Sequence, residues 1–243
     1  MRNLLALSAL VVAGLALTLL AQPGETCIGG YTTSLAGRTR AQRHNSLLAL
    51  TKLAGAVIKP GETFSFNACV GTFSRDEGYR RAPVSYNGQL IDSWGGGVCQ
   101  TSTTLYNAAL LSGMKIVERN RHRFAPSYIP PGRDAAVAFN AIDLKFRNPH
   151  PYSVRILGTV EGDRLTVGIY GPQKLKERPR IVETVREPLD PAIYTIGEVS
   201  PRARVRNSGK EGFQVSVYRL VGNTRELISS DSYPSMARVV EYR

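Results

Sequence analysis

The residues best placed to do chemistry lie in Trp94-Gly95-Gly96-Gly97-Val98-Cys99-Gln100-Thr101-Ser102-Thr103-Thr104-Leu105-Tyr106-Asn107. Consecutive glycines let one backbone approach another and leave amides pointing outward, and the pattern after them predicts a helix over 98–112, stopped by Gly113. Cys99 then falls in the first helical turn. The positive end of the helix dipole favours a thiolate there by up to ~2 kcal/mol, enough to bring a thiol of ordinary pKa ~8.5 near neutrality. The backbone amides of Gly96, Gly97 and Val98 are candidate donors to an oxyanion. Ser102, Thr103 and Tyr106 share the helix face of Cys99, a hydroxyl-lined surface suited to a polar substrate, with Tyr106 as a pocket wall. Nucleophilic acyl chemistry is what such a set can perform.

A thiol nucleophile works with a base, and the chain holds three histidines. His44 sits among Arg40, Arg43 and Asn45 on an expected helix face, and His150 lies between two prolines in a turn. His122 follows the Cys99 helix by one antiparallel return, which can bring it back near the helix start, so it is the base candidate. The bland alternative is a solvated histidine in a basic loop. The flanking Arg121 and Arg123 would lower its pKa and keep it neutral, and with Arg133 they are candidates to grip a substrate carboxylate. Arg133-Asp134 and Asp143 are read as structural, an ion pair and a strand-edge polar group. The three cysteines leave two pairings open: Cys27–Cys69 would leave Cys99 free, and Cys69–Cys99 would remove the nucleophile.

The elements around these residues predict an α+β fold: a mixed or antiparallel β-rich core with two main helices, followed by a small all-β C-terminal module. Helices are expected over 38–54 and 98–112, and strands over 63–67, 115–119 and in two short pieces of 135–147. Asn87-Gly88 marks a hairpin within 83–91, and Glu161-Gly162-Asp163 turns another within 153–170. Beyond Pro172 only strands are suggested, over 180–186, 202–206, 212–220 and 224–229. The expected organisation is an N-terminal segment over 1–21, a first domain over 24–171 and a β module over 172–243.

Composition narrows the function classes. With 42% hydrophobic and 21% charged residues the chain is that of a folded protein. No Cys-x-x-Cys pair points to zinc, and no Walker loop, dinucleotide fingerprint, Gly-x-Ser-x-Gly elbow or Ser-x-x-Lys set is present, so neither a metal nor a cofactor is expected. The net charge of +12 is spread along the chain, which favours attraction to an anionic cell wall or membrane surface over nucleic-acid reading. Met1-Arg2-Asn3 precedes an uncharged run over 4–21, read as an export signal or a retained membrane anchor, with the body extracytoplasmic.

Several ordered blocks resemble the VanW family. They are Pro60-Gly61-Glu62-Thr63-Phe64-Ser65-Phe66-Asn67, Gly78-Tyr79 with Ala82-Pro83, and Gly95-Gly96-Gly97-Val98-Cys99-Gln100 with Ser102-Thr103-Thr104-Leu105-Tyr106-Asn107-Ala108. Glu118-Arg119 with His122, Tyr128-Ile129-Pro130-Pro131-Gly132-Arg133-Asp134-Ala135, Asp143-Leu144 and Asn148 continue the match. The resemblance implies a cell-envelope protein, and some members of the family have been assigned L,D-transpeptidase activity through a cysteine, which by motif would be Cys99. The expected partner is then the peptidoglycan stem peptide, with a non-enzymatic wall-binding or glycopeptide-resistance accessory role as the alternative. Cys69 is an extra thiol relative to the family's pattern.

Overall fold

The computed structural model describes residues 21–86, 89–186 and 188–242. The apolar run as far as Leu20 and the Asn87-Gly88 turn lie outside the described residues. In chain order the elements are β1 (Thr26–Ser34), α1 (Arg40–Leu53), β2 (Val57–Ile58), β3 (Thr63–Ser65), α2 (Phe66–Val70), β4 (Arg81–Tyr86), β5 (Gln89–Trp94) and α3 (Val98–Leu111). Then come β6 (Lys115–Glu118), β7 (Lys145–Arg147), β8 (Val154–Glu161) and β9 (Arg164–Gly171). The tail adds β10 (Arg180–Val185), β11 (Ile193–Ile196), β12 (Ala203–Lys210), β13 (Phe213–Val221), β14 (Thr224–Tyr233) and β15 (Met236–Tyr242). Strand occupies 44% and helix 15%, so the chain is strand-rich with few helices.

A four-stranded antiparallel sheet in the order β1-β9-β8-β2 forms one side of the core. α3 packs on β1 and β9 and is crossed by α1. Leu105, Ala108, Ala109 and Leu110 are fully buried there with Leu53, Val167 and Ile169. The polar positions of α3 are buried as well, against the expected open hydroxyl face. Each one clips a neighbouring segment: Thr104 meets Thr33 across 2.8 Å, Thr101 donates to the Ser46 carbonyl at 3.0 Å, and Ser102 donates to that of Ala135 at 2.6 Å. A buried hydroxyl without a partner costs free energy, so these bonds fix which segments surround the helix.

Two expected strands are shorter than their patterns suggest. The 63–67 strand ends at Ser65, whose hydroxyl accepts from the Ala68 amide and caps α2. The Asp143 carboxylate completes this start by accepting from the Ser65 hydroxyl at 2.6 Å and the Asn67 amide at 2.9 Å. Within 135–147 only β7 is a strand; the rest is held by single bridges, Asn120 with Ala136 and Ala138 with Ile142. β1, β2, β11 and β15 carry no expectation from the sequence, whereas the β4–β5 and β8–β9 hairpins lie where the turn residues place them.

The tail forms two three-stranded sheets, β10-β13-β14 and β11-β15-β12. The first sheet covers Ala125 with Val215, Val217 and Tyr233. Polar ties join it to the earlier elements: Arg219 donates to the Met114 carbonyl at 2.7 Å, and Arg133 pairs with Glu183 at 3.0 Å. Among the described residues no helix is long and apolar enough to cross a membrane.

Asn45 of α1 is the polar pin between these layers and the glycine turn. Its Nδ2 donates to the carbonyls of Arg80 and Gly96, both at 2.9 Å, and its Oδ1 accepts from the Arg80 amide at 2.8 Å. The side chain is fully buried, so Asn45→Ala removes three hydrogen bonds at once, to the Arg80 amide and the Gly96 carbonyl and to the Arg80 carbonyl, which keeps only the Gly95 amide at 3.3 Å. A loss of ~3 kcal/mol of unfolding free energy is expected in denaturant melts, and a loss within the range of an ordinary surface substitution would contradict this role.

Candidate active site

The turn before α3 is set by close backbone contact. A Cβ at Gly96 would lie 2.8 Å from the Ala82 carbonyl oxygen, and one at Gly97 would lie 2.4 Å from that of Gln42. Gly97 also has φ 110°, in the region that side chains rarely adopt, and serves as the N-cap of α3 without a side-chain capping bond. The first-turn amides are therefore not closed by a cap. The Val98 amide, however, donates to the Gly95 carbonyl at 3.0 Å. Its expected oxyanion role is thus corrected, and the amides of Gly96, Gly97 and Cys99 have no backbone partner among the described residues.

Cys99 stands half-buried one residue into α3, with Sγ 3.5 Å from the Val137 carbonyl oxygen. It is unpaired, as are Cys27 and Cys69, so neither disulfide considered from the sequence is formed. Cys69 instead donates to the Lys52 carbonyl at 3.5 Å. His122 lines the same pocket as Cys99 and acts electrostatically on its sulfur. β6 carries the chain back alongside the helix, and the antiparallel bridge of Asn120 with Ala136 sets a register that brings 122 opposite 134. Asp134 uses this register fully: one oxygen accepts from the His122 amide at 2.7 Å and meets His122 Nδ1 at 2.6 Å.

The Asp134 carboxylate is fully buried. Its second oxygen accepts from Arg119 Nη2 at 2.9 Å and from the Tyr233 hydroxyl. Arg119 is itself clamped, donating to Asp231 at 2.6 Å and to the carbonyls of Gly132 and Asp134. Burial would raise the Asp134 carboxyl, but His122 and Arg119 hold it down to about 2. Burial would likewise lower the His122 imidazole, yet Asp134 and the Cys99 sulfur push it up to about 10. The expected depression by Arg121 and Arg123 is corrected: the carboxylate and thiolate beside the ring decide the sign. Burial pushes the Cys99 thiol up, and the hydrogen bond and charge of His122 more than offset it, holding the thiol below its ordinary range. The arrangement is a thiol of lowered pKa and an imidazole of raised pKa, the imidazole oriented by a carboxylate, which favours a thiolate–imidazolium pair.

This group opens into a pocket of about 380 Å³ between the glycine turn, the 122–128 loop and the start of α1. Of the sequence candidates, Cys99, His122, Gly96, Gly97 and Arg123 line it. Ser102, Thr103 and Tyr106 do not. All three are buried beneath the 133–135 segment, where the Thr103 hydroxyl accepts from the Ala135 amide at 3.0 Å. The substrate-binding reading of these residues is corrected accordingly: a helix sandwiched on both sides has no open hydroxyl face. Arg121 lies over the Tyr233 ring, 5.3 Å from its centroid, away from the pocket. Arg133 bonds Asn107 Oδ1 at 2.7 Å and Glu183, so it braces the tail rather than facing the pocket.

The sequence reading missed Asp134 as a site member, having paired it with Arg133. Its signal was present in the Gly132-Arg133-Asp134-Ala135 block, twelve residues after His122. Arg38 and Tyr128 also line the pocket, the guanidinium 4.8 Å above the Tyr128 ring and the Tyr128 hydroxyl 3.3 Å from the Cys99 carbonyl oxygen. Lys210 and Met236 reach the pocket from the tail, and no local pattern announces them.

Comparison with known proteins places these residues in context. A family profile described as VanW like protein matches residues 41–170, a span that holds Cys99, His122 and Asp134 but none of the tail residues. A Bacillus subtilis (strain 168) protein described as uncharacterized protein YoaR is 35% identical over 162 residues, 67% of this chain and 54% of its own. The vancomycin B-type resistance protein VanW of Enterococcus faecalis (strain ATCC 700802 / V583) is 32% identical over 135 residues, 54% of this chain and 49% of its own. The chain thus spans about half the length of the curated relatives it matches. A solved structure titled crystal structure of HP0197-G5 aligns over its whole length with 28% of this chain, at 18% identity and a TM-score of 0.18, too low to support a shared fold.

Two measurements test the ion pair. The pH midpoint of Cys99 alkylation by iodoacetamide, followed on the Cys99 peptide by mass spectrometry, is expected below the ordinary thiol value of ~8.5 and above it in His122→Ala, where burial and the Asp134 charge raise the thiol without the imidazole to oppose them. A midpoint that ignores His122 would exclude the pairing. The second is stability against pH. A raised His122 stabilises the fold fully below its unfolded pKa of ~6.5 and loses this as pH rises through about 10. A lowered Cys99 contributes above its unfolded pKa of ~8.5 and loses this as pH falls through its folded value. The His122 contribution therefore declines as pH rises from ~6.5 to about 10, and above ~8.5, where the Cys99 contribution is already complete, the sum falls with pH. Melting temperatures of wild type minus those of the Cys99→Ala, His122→Ala double variant should fall between pH ~8.5 and about 10; a pH-independent difference would not fit.

Proposed function

The chain belongs to the VanW family, and we propose that it is a cell-envelope cysteine acyltransferase acting on peptidoglycan stem peptides. The observation that carries this reading is that Cys99, at the uncapped start of α3, and His122 line one pocket, with the buried Asp134 bonded behind the imidazole. The vancomycin-resistance name of one relative and the high net positive charge support a site of action at an anionic wall. The apolar run over 4–21 supports export, as a cleaved signal or an anchor. Within this reading the fold is an α+β unit over 24–171 with a small β module over 172–243 docked on it.

The chemistry follows from the charges. The Cys99 thiolate attacks the carbonyl carbon of a stem-peptide amide, forming the C–S bond while the carbonyl electrons move to oxygen. The amides of Gly96, Gly97 and Cys99 offer hydrogen bonds to that oxyanion. As the tetrahedral intermediate collapses, the C–N bond breaks and the imidazolium of His122 gives its proton to the departing amine. The product is a thioester and a neutral imidazole. An incoming amine from a second stem loses a proton to His122, forms the new amide and releases the thiolate, which restores the ion pair. Asp134 holds the imidazole orientation through Nδ1, which leaves Nε2 as the ring nitrogen available for proton transfer. Water in place of the amine gives hydrolysis by the same path.

Incubation of the purified protein with stem-peptide fragments should give an acyl adduct on Cys99 by intact-mass analysis and new cross-linked products. Cys99→Ala should abolish both, and His122→Ala should lower turnover by about 10²–10⁴-fold. Tight binding of the fragments with no adduct and unchanged cross-link levels in wild type would establish the non-enzymatic accessory role instead.

A further inference from the structure

The wall around Cys99 is cationic in a specific way. Arg38, Arg123 and Lys210 line the pocket, and no aspartate or glutamate is among its lining residues. Arg38 is anchored rather than free to swing: its Nε donates to Gln100 Oε1 at 2.8 Å, and its guanidinium lies over Tyr128. Gln100 is held in turn by the Ser34 carbonyl at 2.7 Å and the Thr33 hydroxyl at 3.2 Å. That anchor uses one of the five N–H donors of the arginine fork. Lys210, the last residue of β12, donates to the Ala125 carbonyl and so is tied to the loop that carries His122. Pro83, Val84, Phe124 and Met236 supply apolar surface beside these cations. Positioned cations with no lining carboxylate make a site that an anionic group completes.

We propose that this wall is a carboxylate subsite, in which Arg38 and Lys210 hold the terminal carboxylate of a peptide whose last amide lies over Cys99. The inference rests on the acyl-transfer reading and narrows it to peptide ends. Attack by Cys99 forms the C–S bond, the last C–N bond breaks, and the proton of His122 goes to the departing amino acid. That amino acid takes its carboxylate out of the subsite, leaving the thioester facing the space an acceptor amine must enter. Lys210 lies beyond the family-matched residues 41–170, so the tail takes part in substrate recognition.

The test uses protection of Cys99 from iodoacetamide in the full chain, comparing N-acetyl-dialanine as the free acid with its C-terminal amide. The acid is expected to protect at about tenfold lower concentration than the amide, the scale of one charge-assisted contact. Lys210→Gln and Arg38→Gln should each erase most of that difference, and Lys210→Arg should retain it. Equal protection by acid and amide, or protection by neither up to saturating concentration, overturns the proposal without requiring any variant to fold. Persistence of the acid's advantage in both glutamine variants overturns the assignment to these cations. A wild-type Cys99 protected by the acid yet never acylated would instead remove the acyltransferase reading and leave the subsite standing.

Discussion

The buried carboxylate of Asp134 is the constraint around which the rest is arranged. A lone carboxylate away from water is strongly disfavoured, so its two oxygens must be met by donors, and here they are met from separate parts of the chain. The amide and ring of His122 take one oxygen; Arg119 and the Tyr233 hydroxyl take the other. This holds the carboxyl low and the imidazole beside it high, and the imidazole in turn lowers the Cys99 thiol. One desolvated charge thereby biases the titration of His122 directly and of Cys99 through His122.

The same constraint explains why the tail belongs to the site. Tyr233 ends β14, and Asp231 on the same strand takes the other end of the Arg119 fork. Arg119 and Asp134 would be an incompletely satisfied buried pair without these two residues, and such pairs destabilise when a partner is lost. The apolar contact of Val215, Val217 and Tyr233 with Ala125 adds a dry seal over the polar cluster. The close approach of Val217 to Gly132, where a Cβ would lie 2.6 Å from a valine methyl, shows how tightly the sheet is applied. Lys210 and Met236 then reach the pocket from the second tail sheet.

The glycine turn has a matching logic on the opposite side. Gly96 and Gly97 lie against backbone of β4 and α1, and their carbonyls are taken up by Asn45 and by the Ser46 hydroxyl, 2.9 Å from the Gly97 oxygen. The polar residues of α3 work as clips because a helix enclosed by a sheet, a second helix and the 133–135 segment pairs its buried serine and threonine hydroxyls, with the buried Tyr106 hydroxyl the exception.

Local pattern was enough for the helix that carries Cys99, the hairpins at Gly162-Asp163 and across 87–88, the antiparallel return to His122 and the strand-rich character. These depend on short-range spacing and turn chemistry that a single segment contains. It was not enough for the length of the 63–67 strand, because Asp143 caps a helix there from far along the chain. Nor could it tell an open hydroxyl face from a buried one, since Ser102, Thr103 and Tyr106 have the same spacing either way and only the packing of 133–135 covers them. The residue types by themselves determined that a thiol would stand at a helix start with a histidine near it. Only the tertiary structure decided the charge state of that pair, because electrostatic sign follows distance and burial rather than order in the chain, and the carboxylate that dominates it is brought in by register, not by sequence neighbours.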